Sequence, residues 1–303
     1  MLNNLRSSHE KVSLLGKIYC HLLVVVLIFS YYPSLPSTEL KEFNSPLETS
    51  QSDEILFVSN ANPSLPIVAG GTQHFCMERS DGGVKCWGSN WWGQHGIGAA
   101  LESATSSPVD TATLGSGRYV IDIAGGNQHT CAVLDNHAMK CWGSGSSGVI
   151  GSGSSSPADL PTLVTFNAPY SMSFEKVSAS DSNTCAVLTN GSIACWGSGS
   201  FGITNSQSNA MHPQLISPFG QSLTANSVAV GYNFACALLS TGDISCWGTN
   251  SYGQIGDGTT TTRYSPVSVS GLKINSSAIS LGAGSTHACT LLSNGSVLCW
   301  GYN

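Results

Sequence analysis

Charge is scarce in this chain of 303 residues: 11 lysines and arginines and 17 aspartates and glutamates make up 9% of it and leave a formal charge of -6. The few cations are scattered and form no basic stripe, which excludes a phosphate-tracking surface and with it nucleic-acid binding. Catalytic constellations are missing as well. There is no H-E-x-x-H, no close carboxylate pair and no nucleophile in a recognisable setting, so no catalytic residue is assigned. No C-x-x-C spacing occurs, which argues against zinc. Gly143-Ser-Gly145-Ser-Ser-Gly148 and Gly197-Ser-Gly199-Ser-Phe-Gly202 both spell G-x-G-x-x-G. Neither leads into a helix with an acidic residue ~20 positions on, so no nucleotide cofactor follows from them. Few charges, 34 glycines and many β-branched residues speak against long amphipathic helices and for short strands joined by tight turns.

One apolar run stands out. Arg6, Lys11 and Lys17 precede residues 18–29, which include Leu22 to Phe29 without a polar side chain, and Pro33 and Pro36 follow. That order is the order of a secretory signal within residues 1–37, and the run is shorter than the ~20 residues of a spanning helix. With Tyr31 and Tyr32 the alternative is an uncleaved anchor over 18–32, because no A-x-A-like cleavage site is present. Residues 38–62 mix Glu39, Glu42, Glu48, Asp53 and Glu54 with Ser, Pro and Asn and read as a polar linker, with one strand-like patch at 55–58.

From residue 63 to 303 the chain repeats. Five cysteine pairs, Cys76 and Cys86, Cys131 and Cys141, Cys185 and Cys195, Cys236 and Cys246, and Cys289 and Cys299, align without a gap, and Trp-Gly follows each second cysteine. Successive copies are 55, 54, 51 and 53 residues apart, a blade-sized period. Within a copy, Asn190-Gly191 and Asn294-Gly295 separate two apolar runs, the strongest short-range hairpin signal. Thr241-Gly242-Asp243 and Asp81-Gly82-Gly83 serve the same turn, and Asp135-Asn136-His137 is a poorer one. After the hairpin, Asn90, Gly145, Gly199 and Asn250 share one register and Gly96, Gly151, Asn205 and Gly256 another. Both read as left-handed backbone corners.

These residues resemble the regulator of chromosome condensation repeat family, whose units carry G-x-x-H-x-C-A-x-L-x-x-x-G-x-x-x-C-W-G-x-N-x-x-G-Q-x-G-x-G. The fourth copy, from Cys236 through Trp247, Asn250, Gly253 and Gln254 to Gly258, follows that pattern most closely. The resemblance implies an all-β fold, a β-propeller of four-stranded blades. Four full units and part of a fifth are visible, so a fragment of a seven-bladed ring is expected, of the exported bacterial or archaeal type. Copies two and three lack the Gln, having Gly148-Val149 and Gly202-Ile203, which puts the contact between blades there in question.

The eleventh cysteine, Cys20, lies in the leader. For the other ten, directly opposed hairpin positions lie ~4.5 Å apart, within reach of a disulfide. Export supplies the oxidising compartment, and ten small buried hydrophobes are the alternative. His74, His129 and His287 share a register and could ring an axis, but Asn183 and Phe234 fill that register elsewhere, so hydrogen-bonded structural roles are expected rather than a metal site. The recurrent Trp is read as packing, whereas Trp91 and Trp92, with Tyr252 at the equivalent of Trp92, are a candidate interaction surface. Sequons at Asn190, Asn275 and Asn294 are explained in two cases by the turn itself.

The expected function is a non-catalytic, extracytoplasmic binding or scaffold propeller, secreted or at the cell surface. It needs no cofactor and touches a membrane only through an uncleaved N-terminus. Segments 103–113, 152–162 and 204–218 are read as variable loops that meet another protein or a surface glycan. Guanine-nucleotide exchange on a small GTPase is the alternative that the resemblance implies, and glycan binding a lesser one.

Overall fold

A computed structural model describes residues 67–98, 104–167, 172–198, 209–216, 223–272 and 276–303. The chain divides into two units, Met1–Val58 and Ser59–Asn303, and every described residue belongs to the second. The leader, the polar linker, Asn275, Gly199, Gly202-Ile203 and Asn205 lie outside the described residues.

The repeats fold into consecutive antiparallel blades. Blade I holds β1 (Val68–Gly70), β2 (His74–Glu78), β3 (Val84–Gly88) and β4 (Thr105–Asp110). Blade II holds β5 (Val120–Gly125), β6 (His129–Leu134), β7 (Met139–Gly143) and β8 (Ala158–Leu163). Blade III holds β9 (Phe174–Ala179), β10 (Asn183–Leu188), β11 (Ile193–Gly197) and β12 (Ala210–Leu215). Blade IV holds β13 (Ala225–Gly231), β14 (Phe234–Leu239), β15 (Ile244–Gly248) and β16 (Arg263–Ser268), and blade V holds β17 (Ala278–Ala283), β18 (His287–Leu292) and β19 (Val297–Gly301). Strands pair in chain order within each sheet, as in a β-propeller.

The Cys-Trp dipeptide shows why the blades stack. Side chains alternate between the faces of a strand, so each cystine points forward and the following Trp points back. Each core between blades therefore joins a cystine to the next blade's Trp: Cys76 and Cys86 share one with Trp142, and Cys185 and Cys195 share one with Trp247. Trp142, Trp196 and Trp247 are fully buried. In every blade the two cysteines are direct partners across the hairpin and form a disulfide, with Cα atoms 4.0 to 4.1 Å apart. Closing so short a loop constrains the unfolded chain by roughly 2.5–3 kcal/mol in the chain-entropy view.

The segments read as variable loops are corrected by the structure. Segments 103–113, 152–162 and 204–218 contain or overlap β4, β8 and β12, the outer strands. Each of these strands, like β16, holds a proline: Pro108, Pro161, Pro213 and Pro266. Each proline falls where the register against the third strand shifts, between Cys86 and Gly88 and at its equivalents. An outer strand with a bulge accepts a residue that has no N–H to give to a ladder.

Polar groups lock neighbouring blades. The indole N–H of Trp142 donates to the Gln94 carbonyl at 2.7 Å, that of Trp196 to Val149 at 2.7 Å, and that of Trp300 to Gln254 at 2.9 Å. The acceptor is a backbone carbonyl, so Val149 serves as well as Gln94 and the missing Gln of copy two costs no contact. Thr130 also donates to the Gln94 carbonyl, at 3.0 Å, and its hydroxyl stands 2.9 Å from Nε2 of His74, from which it accepts. Thr184, Val149 and His129 repeat that relay. At the junction of blades IV and V the same register holds Phe234 and Ala288, both buried, in place of His and Thr.

Burial, reinforced by the nearby His95, lowers the pKa of His74 to about 4, and burial with the charge of His74 lowers that of His129 to about 3. Asp122 on β5 accepts the N–H of Val177 on β9 at 2.8 Å, yet burial outweighs that bond and pushes its pKa up to about 6. Below pH 6.5 the unfolded chain binds protons that the folded histidines refuse, so their contribution to stability is lost progressively from pH 6.5 down to about 4 and about 3. Asp122 acts oppositely, since its neutral form is the one the fold prefers below about pH 6.

Two outcomes are expected. Urea midpoints should fall between about pH 7 and about pH 4.5, across the range in which the unfolded histidines take up protons, less steeply in His129→Gln and more steeply in Asp122→Asn. Thr184→Val, which keeps the shape but deprives His129 of its acceptor, should cost about 1–3 kcal/mol in the same measurement.

Candidate binding face

In an antiparallel four-stranded blade, the turn from first to second strand and the loop from third to fourth lie at one end. The hairpin from second to third strand lies at the other. Backbone bonds join the two features of the first end, as Ser89 N–H to the Gln73 carbonyl and Thr249 N–H to the Asn233 carbonyl, both 2.8 Å.

At this end the third-to-fourth loops are rigid. Asn90 and Asn250 do not take the left-handed conformation expected of them; positive φ among the described residues falls elsewhere. They act through their side chains instead. Oδ1 of Asn90 accepts the N–H of His95 at 2.9 Å and Oδ1 of Asn250 that of Ile255 at 3.0 Å, while Nδ2 of Asn250 donates to the carbonyls of Thr259 and Thr261 at 3.0 Å. Gly145, in the same register, also has a negative φ of -91°. The second register does match its expectation, with φ of 66° at Gly96, 74° at Gly151 and 73° at Gly256. A Cβ at those three positions would fall within 3 Å of the next blade's Trp.

The side chains that this scaffold leaves free are aromatic. Trp91, Trp92 and Tyr252 are 60%, 45% and 53% exposed, and Tyr252 meets the ring of Tyr302 edge-on at 4.9 Å. The amides of Trp92 and Tyr252 each donate to the Gln two residues on, Gln94 and Gln254, at 2.9 and 3.0 Å. The family Gln thus shapes the loop, while its carbonyl holds the next blade. Trp91 and Trp92 belong to blade I and Tyr252 to blade IV, so the three share an end of the fold and not one cluster.

The first-to-second turns surround an axial cavity of about 480 Å³ lined by all five blades. Thr72, Asn127, Asp181, Tyr232 and Ser285 occupy one register around it. The residue before each is Gly71, Gly126, Ser180, Gly231 and Gly284. A Cβ on Gly71, Gly126, Gly231 or Gly284 would come within 2.0 to 2.3 Å of the ring of His74, His129, Phe234 or His287. Blade III alone has a Cβ here, at Ser180, and alone has the shorter Asn183 beneath it. His74 and His129 thus lie buried between blades rather than on the axis, whereas His287 on blade V is exposed, and among the described residues no group of acids, histidines and cysteines is arranged for a metal ion.

The opposite end carries the hairpin tips. His137 adopts φ of 61° where the other blades have glycine, which is the cost of the poorer turn. Asn190 and Asn294 are exposed there, each accepting the N–H of the serine two residues on. Arg79 pairs there with Asp81 and Asp110.

The family described as Regulator of chromosome condensation (RCC1) repeat matches residues 81–133, 120–149, 174–203, 226–254 and 241–291. The chain belongs to this family. It is 30% identical over 236 residues to the E3 ubiquitin-protein ligase HERC2 of Homo sapiens, which covers 76% of this chain and 5% of the ligase. It is 29% identical over 204 residues to the Ultraviolet-B receptor UVR8 of Arabidopsis thaliana, covering 66% of this chain and 45% of the receptor. The chain thus spans less than half the length of these two relatives. Among solved structures, human WBSCR16 superposes with a TM-score of 0.66 at 21% identity, over 76% of this chain and 58% of that one. Prp20p of Saccharomyces cerevisiae does so with a TM-score of 0.51 at 16% identity, over 78% and 71%. Both show the propeller fold.

Asn250→Ala, which removes the acceptor of Ile255 and the donor to two carbonyls, is expected to cost about 1–3 kcal/mol. Faster amide exchange at Ile255 with unchanged exchange in β10 would locate that loss in the loop carrying Tyr252.

Proposed function

We propose that this repeat protein is an extracytoplasmic, non-catalytic propeller that binds another protein on the end bearing Trp91, Trp92 and Tyr252. The observation that carries this reading is the combination of large, exposed aromatic rings with loops fixed by buried Asn and Gln side chains. A ring held in place loses little entropy when it is covered, and Trp and Tyr dominate the energy of protein interfaces. Membership of a repeat family whose relatives include a ligase and a receptor agrees with a recognition role. Five cystines, four of them buried, and a leader of three cations, an apolar run and prolines support the extracytoplasmic setting.

Two measurements test the two halves. Non-reducing peptide mapping of protein recovered outside the cell should find Cys76 linked to Cys86, the other four pairs likewise, and a mature N-terminus near residue 37. Free thiols would overturn the location. Trp91→Ala with Trp92→Ala and Tyr252→Ala should leave the thermal midpoint unchanged while reducing cross-linking to the wild-type protein's extracellular partner at least tenfold, about 1.4 kcal/mol. Equal cross-linking would exclude this face.

A further inference from the structure

The axial mouth opens at the same end as the aromatic loops, and six of the fifteen residues that line it are glycine. The turns are chained there blade to blade: Thr72 N–H donates to the Gly126 carbonyl and Asn127 N–H to that of Ser180, both at 3.2 Å, and Tyr232 N–H to that of Ser285 at 2.9 Å. Side-chain chemistry is left to the residue after each tight position. Of the five, Asp181 alone is charged, and no lysine, arginine or histidine lines the cavity.

The Asp181 carboxylate is exposed and already oriented. Nδ2 of Asn127 in blade II donates to Oδ1, and the Ser182 hydroxyl donates to Oδ2 at 2.9 Å. Both donors are neutral, and among the described residues no cation stands within ion-pair distance of it. A carboxylate steadied by two neutral donors keeps free lone pairs and its full charge, which a cationic ligand can meet. Tyr232 holds the same register on the adjoining blade IV and is half exposed. An aromatic residue and a carboxylate lining one cavity suit an organic cation, which can gain from both. One carboxylate with neutral oxygens falls short of the six to eight oxygen ligands, roughly, that calcium takes.

We infer that the axial mouth receives a lysine or arginine side chain of the bound protein, with the Asp181 carboxylate as its counter-ion and the Tyr232 ring as its wall. The inference rests on the reading of this end as the protein-binding face, and it says what that partner must present at the centre.

The full chain, labelled with nitrogen-15, would be titrated at low salt with the peptide acetyl-Gly-Arg-Gly-amide and with the same peptide carrying citrulline, which is neutral and nearly isosteric. The arginine peptide is expected to give saturable shifts of the amides of Gly126, Asn127, Asp181 and Tyr232, and the citrulline peptide none. Asp181→Asn should weaken binding about fivefold, the upper range for an exposed pair, with an unchanged thermal midpoint, and salt should weaken it similarly. Equal binding of the two peptides, an unaltered affinity in Asp181→Asn, or displacement of the peptide by millimolar calcium would each overturn the axial site. The two readings fail separately. If Asp181→Asn leaves partner cross-linking intact while the aromatic variant abolishes it, the face stands and the axial site falls.

Discussion

The contact on which the rest of the molecule depends is the seat of one blade's tryptophan on the cystine of the blade before it, with the indole N–H given to that blade's corner carbonyl. A blade here has no interior of its own. It is a single sheet with two apolar faces, and each face is removed from water only by a neighbour, so stability is a sum of junctions between successive blades. Burial of the ring supplies most of each junction, and the hydrogen bond fixes its angle.

That junction also builds the binding face. To offer its carbonyl to the next Trp, the corner after the third strand must hold one shape, which the Asn90 and Asn250 side chains and Gly96, Gly151 and Gly256 enforce. The same corner carries Trp91, Trp92 and Tyr252 outward on a backbone that cannot collapse. Around the axis the equivalent constraint is steric: the turns pass so close to His74, His129 and Phe234 that only glycine fits above those rings. Asp181 and Tyr232 stand just beyond the constrained positions, where residue type is free to vary between blades.

The hairpins, their spacing and the direct opposition of the cysteines were legible because they depend on neighbours within about ten residues, the range over which turn chemistry acts. The outer strands were not. Pro108, Pro161, Pro213 and Pro266 look like loop punctuation, and only the bulge against the third strand shows why a proline belongs there. Asn90 and Asn250 were misread for a related reason. Asparagine favours both left-handed backbone and side-chain capping, and its residue type alone does not distinguish them. The relay from His74 to Thr130 was hidden because its partners are 56 residues apart and the register varies as His, Asn or Phe.

By itself the sequence determined the repeat, the strand pairs and the opposed cysteines inside each hairpin, and the family resemblance, since all of these are carried by residue patterns that recur locally. The tertiary structure decided which side chains face the next blade, which face water and which meet at the axis. Those assignments come from packing between neighbouring blades, whose contacting residues are 35 to 56 positions apart in the chain, where the volume of a ring or the absence of a Cβ settles what can approach. No local pattern contains that information.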